Sequence, residues 1–241
     1  MKVLAAMQPY FFPYIGYFSL IDAVDHFVFF DTVQFVRKSW MSRNRILKPS
    51  LGDFQFIHVG LASPDYRSQL QDCRISEERE WENQLLRQLE HYKRYAPHYA
   101  ATIDLLRDIF YERRQYLGDF NAYSIKKVCD YLGIKKQFSM FSEANQSYPQ
   151  ASHPGEWGLI ISKIYGAQSY VNAPGGEAFY HPEEFRRENI RLGFIHPELK
   201  EYSQGISKTF FPGLSILDVL MFNDVVGVQQ MIKSYTIDWK S

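Results

Sequence analysis

Asp31 closes an apolar run, Asp25-His26-Phe27-Val28-Phe29-Phe30-Asp31, that has the character of a strand covered on both faces. A carboxylate at the end of a buried strand is costly unless paired. Two roles follow: an ion pair with Arg37 or Arg43, or a general base for an amine or hydroxyl nucleophile, oriented by Gln34 or Gln8. Just downstream, Arg37-Lys38-Ser39-Trp40-Met41-Ser42-Arg43-Asn44-Arg45-Ile46 interleaves four cations with an indole and an amide. Guanidinium forks, a stacking ring and a directional amide suit a nucleotide-sugar diphosphate or a nucleic-acid end; the alternative is a solvated charged face. Upstream, Gln8 to Phe18 carries six aromatic rings between a short strand and a helix start. Its Tyr14 and Tyr17 can donate hydrogen bonds to phosphate or to a developing oxyanion, although they carry no positive charge. Phe11, Phe12 and Phe18 read as a hydrophobic plug. Pro9 and Pro13 stiffen the loop, and Gly16 allows close backbone approach where the N–H groups of the helix start are free. Near the other end, Ser215 and Asp218 fit the Ser-x-x-Asp pattern of a capping box, which would leave further N–H donors for an anion.

Such residues need a frame. Val3–Met7, 25–31, 54–61, 137–141, 169–172 and 191–195 read as strands, and 16–24, 121–132, 157–165 and 183–189 as helices, with another helix starting within 202–223. Residues 76–118 switch to helical spacing with heavy charge, which predicts a helical insertion or hairpin. Strands alternating with helices predict an α/β fold: a mostly parallel, Rossmann-like sheet flanked by helices, in a single domain over 1–241. In such sheets the loop after the first strand lies at the carboxyl edge, where ligands bind.

Composition narrows the function. Lys plus Arg equals Asp plus Glu at 27 each, which argues against duplex nucleic acid as the main partner and mildly against a tRNA donor. Aromatics reach 17%, a load that suits stacking on sugars or bases as well as an aromatic core. The two cysteines, Cys73 and Cys129, lie far apart and support neither a zinc knuckle nor a disulfide framework. None of the seven histidines shows the i, i+4 spacing of a helical metal site; His98, His153, His181 and His196 adjoin prolines in loops, and His58 reads as a core residue of a strand. No metal is implied. Neither a signal peptide nor a membrane span is expected, and a bacterial cytoplasmic location is the default. A P-loop, a Gly-x-Ser-x-Gly elbow and a cysteine nucleophile context are all missing.

Three ordered segments, Gln8-Pro-x-Phe-Phe-Pro-x-x-Gly-Tyr-Phe18, Asp31-x-Val33-Gln34-Phe35 with Trp40 and Arg43-Asn44-Arg45, and Phe211-Pro-Gly-Leu-Ser-Ile-Leu-Asp218, resemble the WbqC-like protein family over essentially the whole chain. Gly166-Ala167 with Tyr170-x-Asn172, Gly175-Gly176 and Tyr202-x-Gln204 are similar to that family too. The resemblance implies bacterial O-antigen or surface-polysaccharide biosynthesis, with acylation or aminoacylation of amino sugars. The acyl donor stays open between a carrier thioester, a charged tRNA and ATP plus a free acid; the sugar substrate would be nucleotide-linked. The candidate machinery is then Asp31, Tyr14, Tyr17 and Gln34 for catalysis. Gln8, Gly16, Arg37, Lys38, Trp40, Arg43, Asn44, Arg45, Asn172, Tyr202, Gln204 and Ser215 would bind substrate. The rival is a non-catalytic glycan-binding or assembly protein; convergence of Tyr14, Asp31, Arg43 and Gln204 on one deep pocket would favour the enzyme. A more distant similarity, of Pro13 to Ile21 to the His-x-Gly-His loop of adenylate-forming and nucleotidyl-transferring enzymes, has tyrosines where those enzymes have histidines. Ile206-Ser207-Lys208-Thr209 echoes their lysine-bearing loop.

Overall fold

The computed structural model describes residues 2–48, 53–62, 67–144, 147–205 and 209–240; Ile206, Ser207 and Lys208 of the lysine-bearing segment lie outside them. In chain order the elements are β1 (Val3–Met7), α1 (Ile15–Asp22), β2 (His26–Phe29), β3 (Arg43–Leu47), β4 (Phe54–His58), α2 (Glu80–Leu89), α3 (Tyr99–Tyr111) and α4 (Leu117–Tyr131). There follow β5 (Gln137–Met140), α5 (Glu156–Ile164), β6 (Ser169–Asn172), α6 (Pro182–Arg187), β7 (Arg191–Pro197), α7 (Ile216–Phe222), α8 (Val225–Ile232) and β8 (Tyr235–Lys240).

Among the described residues six strands form one sheet in the order β5-β2-β1-β6-β7-β8, and within it only β8 runs antiparallel to its neighbour. The apolar runs of β1 and β2 are explained by cover on both faces. Ala5, Phe27, Phe29, Val171 and Ile195 point into the larger core beneath α1, α7 and α8, whereas Leu4, Ala6, Val28, Tyr170, Leu192 and Phe194 meet α5 and α6 on the other side. The chain moves outward from β1 to β2 and β5, then returns to the far side of β1 with β6. Strand order therefore reverses between β1 and β6, and their carboxyl ends splay apart to leave a crevice there.

Two expected details differ. The strand read at 54–61 is shorter and belongs to a separate two-stranded antiparallel sheet, where Arg43 pairs with His58 and Leu47 with Phe54. On that outer hairpin His58 is exposed rather than buried in the core. The helical stretch predicted at 76–118 comprises α2 and α3 joined by a 3₁₀ turn, and the next helix already starts at Leu117. α3 packs on α4 and α7, so its apolar stripe of Ile103, Leu106, Ile109 and Phe110 joins the larger core. Among the described residues no helix is long and apolar enough to cross a membrane.

Candidate functional site

The loop between β1 and α1 is held by its carbonyl groups. Asn121 of α4 donates from Nδ2 to Pro9 O at 3.0 Å, and Asn44 of β3 donates to Phe11 O at 3.0 Å and Phe12 O at 2.8 Å. Ser215 Oγ also donates to Phe12 O at 2.8 Å, and the N–H of Ile216 donates to Pro13 O at 2.9 Å. Three separate elements thereby satisfy buried backbone acceptors that a loop this deep would otherwise strand. The clamp also holds Phe12 at a φ of 41°, left-handed backbone that a bulky residue rarely adopts. The rings of Phe11, Phe12 and Phe18 are fully buried, as a plug requires.

This fixed loop forms one wall of a cavity of about 570 Å³ at the carboxyl ends of β1 and β6. Gln8, Tyr10, Tyr14 and Gly16 stand on that wall; Asn172, Pro174, Gly175 and Gly176 come from the end of β6, and Trp157, Gly158 and Tyr180 close the far side. Tyr17 borders it but is buried, and its hydroxyl donates to Gln8 O at 3.0 Å. Gln8 Oε1 accepts from Tyr10 Oη at 3.2 Å. Burial pushes the phenols of Tyr10, Tyr14 and Tyr17 up, and that of Tyr180 up to about 12. At neutral pH these hydroxyls keep their protons and can donate. Among the described residues the lining carries no Asp, Glu, Lys or Arg.

A second chamber of about 210 Å³ shares Tyr10, Tyr14 and Trp40 with the first and adds Pro13, Asn44, Arg45 and Gly213. Here the guanidinium of Arg45 lies 5.3 Å from the Trp40 ring centre and 4.9 Å from that of Phe54, and Nη2 donates to Gly213 O at 3.3 Å. Arg45 Nε is buried and has no hydrogen-bond partner among the described residues. The period of two along β3 decides which groups meet. Arg43 and Arg45 share one face, while Asn44 points the opposite way into the core.

The remaining predicted site residues lie elsewhere. Asp31 is buried, but its carboxylate accepts from the Ser142 N–H at 3.0 Å and the Ser142 hydroxyl at 2.6 Å, and it is outside both chambers. Gln34, Arg37 and Lys38 are exposed on the turns that follow, with Gln34 bridging to Gln69. Arg43 covers the Phe56 ring, 4.3 Å from its centre. Tyr202 and Gln204 join a buried network instead: Tyr202 donates to Asp218 Oδ2 at 2.6 Å, Tyr92 donates to Asp218 Oδ1, and Gln204 Nε2 reaches Phe211 O at 3.0 Å. Burial raises the Asp218 carboxyl to about 6 against the lowering effect of those donors.

Ser215 starts α7 as the sequence predicts, its Oγ accepting from Leu217 N at 3.3 Å. The reciprocal half of the capping box does not form, because the Ser215 N–H is already taken by Arg45 O at 2.8 Å and the Asp218 carboxylate faces the two tyrosines. Tyr14, Asp31, Arg43 and Gln204 therefore do not converge on one pocket. Sequence reading missed Trp157, Tyr170, Phe179 and Tyr180, whose place on the far wall depends on β6 lying next to β1.

The WbqC-like protein family matches this chain over residues 8–230. An uncharacterized protein of Mycobacterium tuberculosis (strain ATCC 25618 / H37Rv), Rv1507c, is 30% identical over 226 residues, which cover 92% of this chain and 94% of that protein. No solved structure matches. With the three clamped segments all inside the matched span, the chain belongs to the WbqC-like protein family.

Proposed function

We propose that the protein is an enzyme of bacterial surface-polysaccharide (O-antigen) biosynthesis, cytoplasmic, that transfers an acyl or aminoacyl group to the amine of a nucleotide-linked amino sugar. The observation that carries this reading is the pair of joined chambers at the β1–β6 crevice. The larger is neutral and walled by aromatic rings with a few convergent amide and hydroxyl groups, which suits a sugar ring. The smaller offers the Arg45 guanidinium, which suits the charge of a diphosphate. In the reaction the amine nitrogen bonds to the acyl carbon, the bond to the donor's leaving group breaks, and the proton that the nitrogen loses is taken up by the departing group. Tyr14, protonated at neutral pH, is the donor assigned to the oxyanion that forms on the way. Asp31 is outside this proposed machinery: its hydrogen bonds to Ser142 fit a residue that anchors the segment after β5.

A second reading, glycan binding without catalysis, is favoured by two observations: Tyr14, Asp31, Arg43 and Gln204 do not meet in one pocket, and the larger chamber lacks any ionisable acid or base among its described lining residues except tyrosine. One experiment separates the two. The purified protein is incubated with a panel of nucleotide-linked amino sugars and, in separate arms, an acyl-carrier thioester, an aminoacyl-tRNA, or ATP plus the free acid. Mass spectrometry that finds an acyl mass gain on one sugar, lost in Tyr14→Phe, supports the transferase. Saturable sugar binding with no mass gain in any arm favours the binding protein, and no binding of any panel member overturns both.

A further inference from the structure

His153, His181 and Glu184 come together where the chain enters the far wall of the larger cavity: Pro154, next to His153, and Tyr180, next to His181, both line it. The meeting is built by a tight backbone approach. A Cβ on Gly155 would stand 2.0 Å from Phe179 O, so only glycine lets the 152–156 turn lie against residues 179–180. His153 is pinned further from its own side, where both the N–H and the hydroxyl of Ser152 bond to Glu156 at 2.6 Å.

We propose that His153, His181 and Glu184 form a zinc-type divalent metal site at the mouth of the cavity. Their ligand atoms all lie within 4.8 Å of one another. Ligands about 2.0–2.1 Å from a tetrahedral zinc stand about 3.4 Å apart, so closure needs a shift of about 1 Å or more. The exposed side chain of His181 is free of core packing and can supply it. His153 Nε2 already faces both Glu184 oxygens, at 3.2 and 3.0 Å, and the space between nitrogen and carboxylate is where a cation replaces the shared proton. Two imidazoles and one carboxylate form a donor set that matches zinc better than calcium or magnesium, which take oxygen ligands. Three protein ligands also leave a coordination position for water or a ligand oxygen, the pattern of open rather than structural zinc sites.

The test is zinc titration of the chelator-treated full chain by calorimetry, with ZnCl2 alone as the probe. Wild type is expected to take one zinc per chain, and His181→Gln and Glu184→Gln are each expected to weaken it by more than about tenfold. Glu183→Gln, which removes the neighbouring acid that pairs with Arg186, is expected to bind as wild type. Circular dichroism confirms that the variants are folded, the expected state because His181 is exposed just before α6 and Glu184 is half-buried in its first turn. Failure of wild type to bind zinc, or retained affinity in either His181→Gln or Glu184→Gln, overturns the proposal. Neither result depends on whether the cavity takes a sugar.

Discussion

Asn44 shows how one amide can decide the shape of a functional loop. Its Nδ2 supplies both protons to carbonyls, those of Phe11 and Phe12, while its Oδ1 accepts from Arg45 N at 2.8 Å, so every strong donor and acceptor of the side chain is used in a site 3% exposed. Asn44→Ala strands the buried Phe11 carbonyl, at a cost of about 1–3 kcal/mol, and takes one of two donors from the Phe12 carbonyl, which Ser215 still reaches. Asn44→Asp is expected to be no better than alanine, since a carboxylate offers no donor to the two carbonyls and brings a buried charge. Urea denaturation should show both variants losing about 1–4 kcal/mol; an Asp variant as stable as wild type would remove the donor role from Asn44. This amide was legible in the sequence as a polar residue between arginines, yet the reading gave it to a ligand. Nothing in the local pattern reveals that its partners are carbonyls 32 and 33 positions away.

At the scale of elements, the entry to α1 couples the clamp to the site. Gly16 lies under the Tyr14 ring, and a Cβ there would stand 2.4 Å from that ring. Gly16→Ala improves helix propensity but displaces the ring that separates the two chambers. The expected result is a thermal midpoint close to wild type with binding of the preferred nucleotide-linked sugar weakened about tenfold or more, read by calorimetry. Unchanged affinity would show that Tyr14 does not shape the site. The elements that carry this loop were readable because buried parallel strands are unbroken apolar runs: β1, β2, β5, β6 and β7 were all found near their observed bounds. β3 was missed because Arg43, Asn44 and Arg45 hide its period of two among polar residues. β8 was missed because an edge strand with Thr236 and Asp238 facing out gives only a short alternation. The far wall of the cavity was illegible for a different reason. Trp157 and Tyr180 reach the loop only because β6 returns to the side of β1 opposite β2, a choice of strand order that no local pattern encodes.

At the scale of the whole molecule, two buried ionisable groups in different parts of the fold set opposing pH dependences. His26, fully buried in β2 with Nε2 2.9 Å from Ser139 Oγ, is lowered to about 4, chiefly by burial and then by Lys2. The unfolded histidine titrates near 6.5, so its stabilising contribution is complete above that pH and is lost as pH falls toward 4, about 3 kcal/mol in all. Asp218 is raised to about 6 from 3.8. Its contribution runs the other way: it is complete below 3.8 and is lost as pH rises through 6, again about 3 kcal/mol. The two windows nearly coincide, so their slopes cancel in the wild type between about pH 4 and 6. Each variant should unmask the other group. Relative to wild type, His26→Gln is expected to lose stability as pH rises from 4 to 6, and Asp218→Asn to gain it over the same span, both read from urea midpoints at a series of pH values. Parallel curves for wild type and both variants would mean that neither group changes its proton affinity on folding. The balance has a functional side, because Asp218 sits on α7, whose first residues hold Phe12 and Pro13. In Asp218→Asn the clamp on the β1–α1 loop is therefore expected to lose the titrating group nearest to it, while the fold that carries it takes on the uncompensated pH dependence of His26.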